Sequence, residues 1–262
     1  MSKVDHLDPD KIKVNLKTNR IGRKILVYKS TASTNDVAAE YARNKKNDGL
    51  VVFAERQTSG RGRAGTKWHS SWGDSILCSI VLIDSNCGPE LLSLACAVGT
   101  AEAIGKVATS EAKVKWPNDV MLNCKKVAGI LVESKPSDSV NTYIIGIGIN
   151  CHQQKDSFPV ELQSSATSID LESRSTADRI SLAKRLLTAL DYWLELAATN
   201  SKDITDQWCK LSVQLGHRVT LSYHGRKFTG NCIGVDPEKG LILQLDTGGV
   251  RMFPAAHTTI AK

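Results

Sequence analysis

The 262 residues carry a formal charge of +7, with 41% hydrophobic and 23% charged side chains, the profile of a globular chain long enough to bury a sizeable core. No run of about 18 apolar residues exists, which excludes a transmembrane helix, and residues 1–8 have neither an apolar signal core nor the acid-poor character of a transit peptide. The seven cysteines (78, 87, 96, 124, 151, 209 and 232) form no Cys-x-x-Cys pair, which excludes zinc-ribbon, zinc-finger and thioredoxin spacings and points to reduced thiols in the cytoplasm.

Eight Lys/Arg against three Asp within residues 1–30 hold +5 of the excess charge, so residues 1–24 are expected to be a solvated basic leader. A nucleic-acid surface would need its charge on a patch or stripe of the fold. From Ile25 the chain reads as a globular domain. Ile25–Tyr28 is a short buried strand. It is followed by Ser30–Asp36 and a helix, with Ser33 and Asp36 spaced as a capping box. Leu50–Glu55 is a second strand and delivers Gln57 to the segment Thr58–Trp68. That segment interleaves Gly60, Gly62 and Gly65 with Arg61, Arg63, Lys67 and Trp68. Its backbone is pliant and its guanidinium forks suit phosphate or carboxylate. Two readings follow: a loop that closes over an anionic ligand, or a basic surface loop between strands.

Ile76–Leu82 is a third strand and Pro89–Val107 a helix whose apolar stripe includes Leu91, Leu92, Ala95, Val98, Ala101 and Ile104. Pro117 removes a backbone donor within the strand-like run 114–122. Residues 123–126 read as a hairpin turn into the strand 127–133, and 142–150 is a further strand with Gly146 and Gly148 on one face. Residues 152–175 are polar and Ser-rich and read as a loop. Helices are expected over 176–198 and 203–211. Beyond about residue 213 the texture changes to short strands (218–223, 228–235, 241–245, 250–253) separated by turn residues, a small all-β module.

Several chemistries drop out. There is no P-loop, no complete dinucleotide fingerprint at Gly146-x-Gly148, and no H-E-x-x-H or G-x-S-x-G. Cys151–His152 is adjacent in sequence, which is not how a Cys–His catalytic pair is usually assembled. What remains is a set of cations (Arg61, Arg63, Lys67, Lys115, Lys126) without a nucleophile, among glycine-bearing strands. Such a set suits phosphoryl or nucleotidyl transfer, where positioning and charge neutralisation do most of the work.

Five motifs occur in order: Ser33-Thr34-Asn35; Gln57-x-x-Gly60-Arg61-Gly62-Arg63-x-Gly65-x-x-Trp68; Lys115-Trp116-Pro117-Asn118-Asp119; Lys126-x-Ala128-Gly129-Ile130-Leu131-x-Glu133; and Gly146-x-Gly148-x-Asn150. Together they resemble the biotin protein ligases (biotin–[acetyl-CoA-carboxylase] ligases) over roughly residues 20–262. The resemblance implies an α+β fold: a catalytic domain over 25–212 with a mixed sheet flanked by helices, similar to class II aminoacyl-tRNA synthetases, and a small C-terminal β-barrel over 213–262. It implies ATP and Mg²⁺ as cofactors, biotinyl-5′-AMP as intermediate, and a biotin carboxyl carrier protein as acceptor. Ser33, Thr34, Asn35, Gln57, Gly60, Arg61, Lys126, Gly129, Gly146 and Gly148 would then bind biotin. Arg61, Arg63, Trp68, Lys115, Asn118, Lys126 and Asn150 would bind ATP, and Lys126, Arg61 and Arg63 would carry the chemistry. Trp68 is either a lid or a core tryptophan. Asp119 is a candidate for Mg²⁺, for orienting the incoming lysine, or for capping a hairpin.

Ala64 and Thr66 stand where some members of that family carry basic residues, which leaves the loop less positive. About 30 residues precede Ser33, too few for a winged helix-turn-helix, so a monofunctional ligase without specific DNA binding is expected, as monomer or homodimer. The rival readings are a lipoate or octanoate ligase of related fold and a biotin-sensing DNA-binding repressor.

Overall fold

The computed structural model describes residues 5–135 and 140–260. Seven strands form the larger sheet: β1 (Ile25–Tyr28), β2 (Val51–Ala54), β3 (Ser75–Ile83), β4 (Lys113–Lys115), β5 (Asp119–Leu122), β6 (Lys125–Lys135) and β7 (Thr142–Asn150). Their spatial order is β1-β2-β3-β7-β6-β5-β4. Only β1 and β2 run parallel; the other neighbours are antiparallel. Every residue of β3 is buried, as a mid-sheet strand covered on both faces must be.

The described helices are α1 (Pro9–Lys13), α2 (Thr34–Tyr41), α3 (Pro89–Gly105), α4 (Ile169–Glu172), α5 (Arg179–Thr199) and α6 (Ser201–Leu211). Period-two alternation along the strands decides what each helix covers. Val51, Phe53, Ile80, Leu82 and Ile145 face the main core with α3 and α5. Leu50, Val52, Val81, Ile83 and Ile144 face Ala38, Val37 and Tyr41 of α2. α2 is only eight residues long, so it covers only part of its face of the sheet. The same alternation puts Ser79, Leu77, Gly146 and Gly148 beyond it on that face. α3 is buried almost all round because it lies between the sheet and the pair α5 and α6.

A five-stranded antiparallel sheet forms the C-terminal region: β8 (Arg218–Tyr223), β9 (Arg226–Asp236), β10 (Gly240–Leu245), β11 (Val250–Phe253) and β12 (Thr258–Ile260), in the order β11-β10-β9-β8-β12. The expected barrel thus takes the form of a sheet whose edge strands β11 and β12 are not paired with each other. β12 was not foreseen; its three residues are too few to show a period.

Two expectations need correction. The leader is anchored as well as solvated: Lys11, Lys13, Lys17, Arg23 and Lys24 are exposed as expected, but Leu7, Ile12 and Ile21 are core residues, and Arg20 forms a bidentate pair with Asp48. Its first four residues lie outside the described residues. The Ser-rich segment 152–175 is not a free loop. Gln153, Thr167, Ser168 and Ile169 are buried, and the backbone of Lys126 bonds Ser165 and Thr167. Part of its polar composition serves local hydrogen bonds, such as Ser168 Oγ to Gln153 O at 2.7 Å, while Ser157, Ser164, Ser165 and Ser175 are exposed.

Candidate active site

The uncovered part of the sheet face beyond α2 is the floor of a cavity of about 380 Å³. The register brings Gly146 opposite Ser79 and Gly148 opposite both Leu77 and Gly129. Each glycine admits a particular neighbour. A Cβ at Gly146 would overlap Asn35 Oδ1. One at Gly148 would stand 2.5 Å from Trp68 Cε2, and one at Gly129 3.2 Å from both Trp68 Cζ3 and Lys126 Nζ. All three glycines, expected to make room for a ligand, line the cavity, and each also admits a neighbouring side chain: Asn35, Trp68 or Lys126.

At the Gly146 end lies a cluster of neutral polar groups. Ser33 caps α2 by position, yet its side chain makes no capping bond, so the expected capping box does not form. The Asp36 carboxylate, the other half of that box, is instead paired with Arg61 at 2.9 Å, and Gln57 Oε1 accepts from Thr34 N (2.7 Å) and Thr34 Oγ1 (2.9 Å). The Ser79 hydroxyl donates to Asn35 Oδ1 at 2.5 Å and lies 2.7 Å from Thr34 Oγ1. Asn35 Nδ2 donates to Glu133 Oε2 at 2.6 Å. Ser33, Thr34, Asn35 and Gln57 all line the cavity.

The glycine–arginine loop lies over this face. Gly60 O accepts from Trp68 N at 3.0 Å, and Gly62 N donates to Thr66 O at 2.7 Å, so the loop is a narrow hairpin. Its bend places Ala64 at φ 52°, left-handed space that a non-glycine residue adopts at a cost. Arg61 grips Glu133 with two bonds (3.1 and 2.9 Å) and Asp36 at 2.9 Å. Its hydrogen bonding to Glu133 raises the Arg61 pKa further above the usual arginine value. Arg63 reaches the C-terminal region, where its Nη2 donates to Ala255 O, and Ala255 N donates to Glu90 Oε1 at 3.0 Å. Burial lowers the Arg63 pKa, against the opposing pull of Glu90 and Asp119.

Lys126 completes the arrangement. The Asn123–Cys124 turn, with φ of 45° and 64°, is of the tight hairpin kind expected there and starts β6 at Lys125. Lys126 Nζ lies 2.5 Å from Asp119 Oδ1 and 5.8 Å from the Trp68 ring centroid. Trp68 lies on the sheet floor, and its buried Nε1 has no partner among the described residues. Lys115 and Asn118 also line the cavity; Asn118 holds the Ile130 carbonyl at 2.6 Å.

Two residues expected at the site are not in the lining. Gly60 is buried behind Gln57 and Trp68. Asn150 is turned into the 152–170 segment, donating to Thr167 O at 2.9 Å and accepting from Gln153 at 3.2 Å. Other residues were missed. Thr259 and Ile260 of β12 line the cavity from the far C-terminus, a contact that no local pattern announces. Asp36 and Glu133, the partners of Arg61, lay within the motifs read from the sequence. Among the described residues no group of three or more His, Cys, Asp or Glu could hold a metal ion, and the Asp119 carboxylate is paired with Lys126. The described side chains thus form no all-protein cage for Mg²⁺, and a single carboxylate such as Asp119 could hold the ion only together with substrate phosphates. Nor does Cys151–His152 form a nucleophile, because burial pushes the Cys151 thiol up to about 12.

A mixed sheet whose bare face is roofed by a cationic hairpin is the architecture of a biotin protein ligase. The chain superposes on the biotin protein ligase from Aquifex aeolicus in complex with biotin and ATP with a TM-score of 0.80, at 26% identity over 92% of this chain and 99% of that one. Residues 27–150 match the biotin/lipoate A/B protein ligase family. The bifunctional ligase/repressor BirA of Bacillus spizizenii is 33% identical over 260 residues, covering 97% of this chain and 80% of its own length. The biotin–[acetyl-CoA-carboxylase] ligase of Mycobacterium tuberculosis is 30% identical over 99% of both chains. The chain belongs to the biotin protein ligase family.

Proposed function

We propose that this protein is an ATP-dependent biotin–protein ligase acting on a lysine of a biotin carboxyl carrier domain. The observation that carries this reading is the polarity of one cavity. Neutral donors and acceptors (Ser33, Thr34, Gln57) gather by Gly146, and cations (Arg61, Arg63, Lys115, Lys126) line the rest. A ureido ring needs the first set, and a carboxylate meeting a triphosphate needs the second.

In the first step a biotin carboxylate oxygen attacks the α-phosphorus of ATP. The bond from phosphorus to the bridging oxygen breaks, and pyrophosphate leaves. Two anions must approach against their repulsion, and fixed cations offset it without reorganising. Lys126, released from Asp119, bridges carboxylate and α-phosphate. Arg61 flanks them, and Arg63 ties the hairpin down over the product. In the second step a neutral lysine amine attacks the acyl carbon of the anhydride. The carbon–oxygen bond to AMP breaks, and an amide forms. Asp119 is placed to take the proton from that amine once Lys126 has turned to the ligand. A covered cavity also keeps water from the anhydride. Magnesium, on this reading, arrives as the chelate of the triphosphate and belongs to the substrate.

The seven cysteines are free, in keeping with a cytoplasmic setting. The test is pyrophosphate release from ATP with biotin, lipoate or octanoate as the acid. Release with biotin alone is expected. Release with lipoate or octanoate in its place would move the protein to the lipoate branch of the family.

A further inference from the structure

Outside the cavity, the structure's most concentrated charge cluster stands at the roots of the glycine–arginine loop. Arg179, at the start of α5, is completely buried. A buried guanidinium is tolerated only when its donors are satisfied by anions or carbonyls. Its Nη1 donates to Glu55 Oε2 (2.8 Å) and to Ser75 O (3.1 Å). Glu55 is the last residue before the loop segment 56–74, and Ser75 is the first after it. One guanidinium thus holds both ends of the segment that carries Arg61, Arg63 and Trp68.

The same group holds the N-terminal segment. Arg179 Nε and N donate to Asp5 Oδ1 (2.6 Å) and Oδ2 (2.8 Å), and Nη2 donates to Asp5 O. The second oxygen of Glu55 accepts from Leu7 N at 2.7 Å. His152 stands behind Asp5, with Nε2 3.6 Å from Asp5 Oδ1 and Nδ1 2.8 Å from Asp170 Oδ2. Around this node Gly73 N donates to Glu55 O at 3.0 Å, and Asp74 O accepts from Cys151 N and His152 N.

The geometry points to Arg179 and Asp5 as positioning residues for the ligation reaction: a clamp at the base of the loop that keeps its tip over the bound adenylate. The clamp touches no substrate. It acts by fixing the spacing and direction of the two loop roots, so that Arg61 can meet Glu133 and Arg63 can meet Ala255. Residues 5–7 are a working part of the clamp, since Asp5 or Leu7 takes part in four of its six hydrogen bonds. The inference deepens the ligase reading and rests on it for the word adenylate; the clamp itself does not depend on the ligand.

Two measurements on the full chain test it, using Asp5→Asn, Arg179→Lys and Arg179→Gln. The first is amide hydrogen exchange without ligand. Losing one charge-assisted bond at the roots is expected to speed exchange in residues 56–74 about tenfold, with β3 and β7 unchanged. The second is release of labelled adenylate after biotin and ATP. It is expected to be about tenfold faster, with pyrophosphate formation within about threefold of the parent and Arg179→Lys partly rescued relative to Arg179→Gln. Exchange that rises uniformly, or only in residues 5–7 and 179–182, would overturn the clamp, as would adenylate release at the parent rate. If Arg179→Gln does not fold, Asp5→Asn decides alone, because Asp5 is partly exposed and distant from the cavity lining. A parent protein that forms no pyrophosphate with biotin would sink the ligase reading, and the exchange measurement would still decide the clamp.

Discussion

Removing the Lys126 ammonium would leave Asp119 without its partner and the two reacting anions without their bridge. Lys126→Ala is therefore expected to lower adenylate formation roughly a hundredfold to a thousandfold, the usual effect of losing a preorganised charge at the reacting centre. The fold should persist, because Nζ is at the cavity edge rather than in the core. Pyrophosphate release near the parent rate would remove Lys126 from the chemistry. Arg63 has a different duty. Among the described residues its one hydrogen bond outside the loop is to Ala255 O, so Arg63→Gly cuts the loop tip from the turn between β11 and β12. Adenylate should still form but leave about tenfold faster. Labelling of bystander lysines in a mixed-protein assay should rise, and strict acceptor selectivity in that variant would refute the tie. Both residues were legible in the sequence as cations among glycines. Their partners were not, because Asp119 meets Lys126 only through the pairing of β5 with β6, and Arg63 reaches Ala255 across 192 residues.

At the scale of elements, the sheet floor is built to admit side chains of the roof. Gly148→Ala would press a methyl group against Trp68 at 2.5 Å. Overpacking of this kind costs about 1–3 kcal/mol. The thermal midpoint should fall, and tryptophan fluorescence should report a displaced Trp68. Unchanged values of both would mean the ring is not held by this strand. The 152–170 segment carries a second expectation. The nearby Asp5 carboxylate and then the hydrogen bond to Asp170 raise the His152 pKa above 6.5, although burial opposes it. A pKa raised in the folded state contributes stability that is complete below about 6.5 and lost as pH climbs through the folded value. The denaturant midpoint should therefore decline through that range, and His152→Gln should flatten the decline. A pH dependence that is the same in parent and variant would refute it. This pair of residues drew attention in the sequence for a Cys–His chemistry; its role in the structure is an ion-pair network, because burial leaves Cys151 protonated.

For the whole molecule, the N-terminal backbone is tied into the fold while most of its charge is not. Arg20 meets Asp48, and Asn19, Arg20 and Ile21 hang from Asp191 by their backbone amides. Lys11, Lys13, Lys17, Arg23, Lys24 and Lys29 remain exposed, and solvated cations of this kind should bind duplex DNA only weakly and with affinity that falls steeply as salt rises. A fluorescence-anisotropy titration at physiological ionic strength that found tight, site-specific binding would overturn this. The molecule's two sheets also meet at the cavity, since β12 supplies Thr259 and Ile260.

The sequence alone determined most strands of the larger sheet (the run 114–122, read as one, is the antiparallel pair β4 and β5), the two long helices, the change to short strands after residue 213 and the five motifs that converge on the cavity. These are short-range properties: hydrophobic period, turn residues and glycine placement act within a few residues. The tertiary structure alone decided what the leader does, which residues the glycines admit, where Asn150 turns and which carboxylates hold Arg61 and Arg179. Those outcomes depend on contacts beyond the local pattern, from 17 residues for Asn150 and Thr167 to 72 for Arg61 and Glu133 and 174 for Arg179 and Asp5. In such contacts the burial of one charged group selects its partner, and no spacing along the chain encodes the choice.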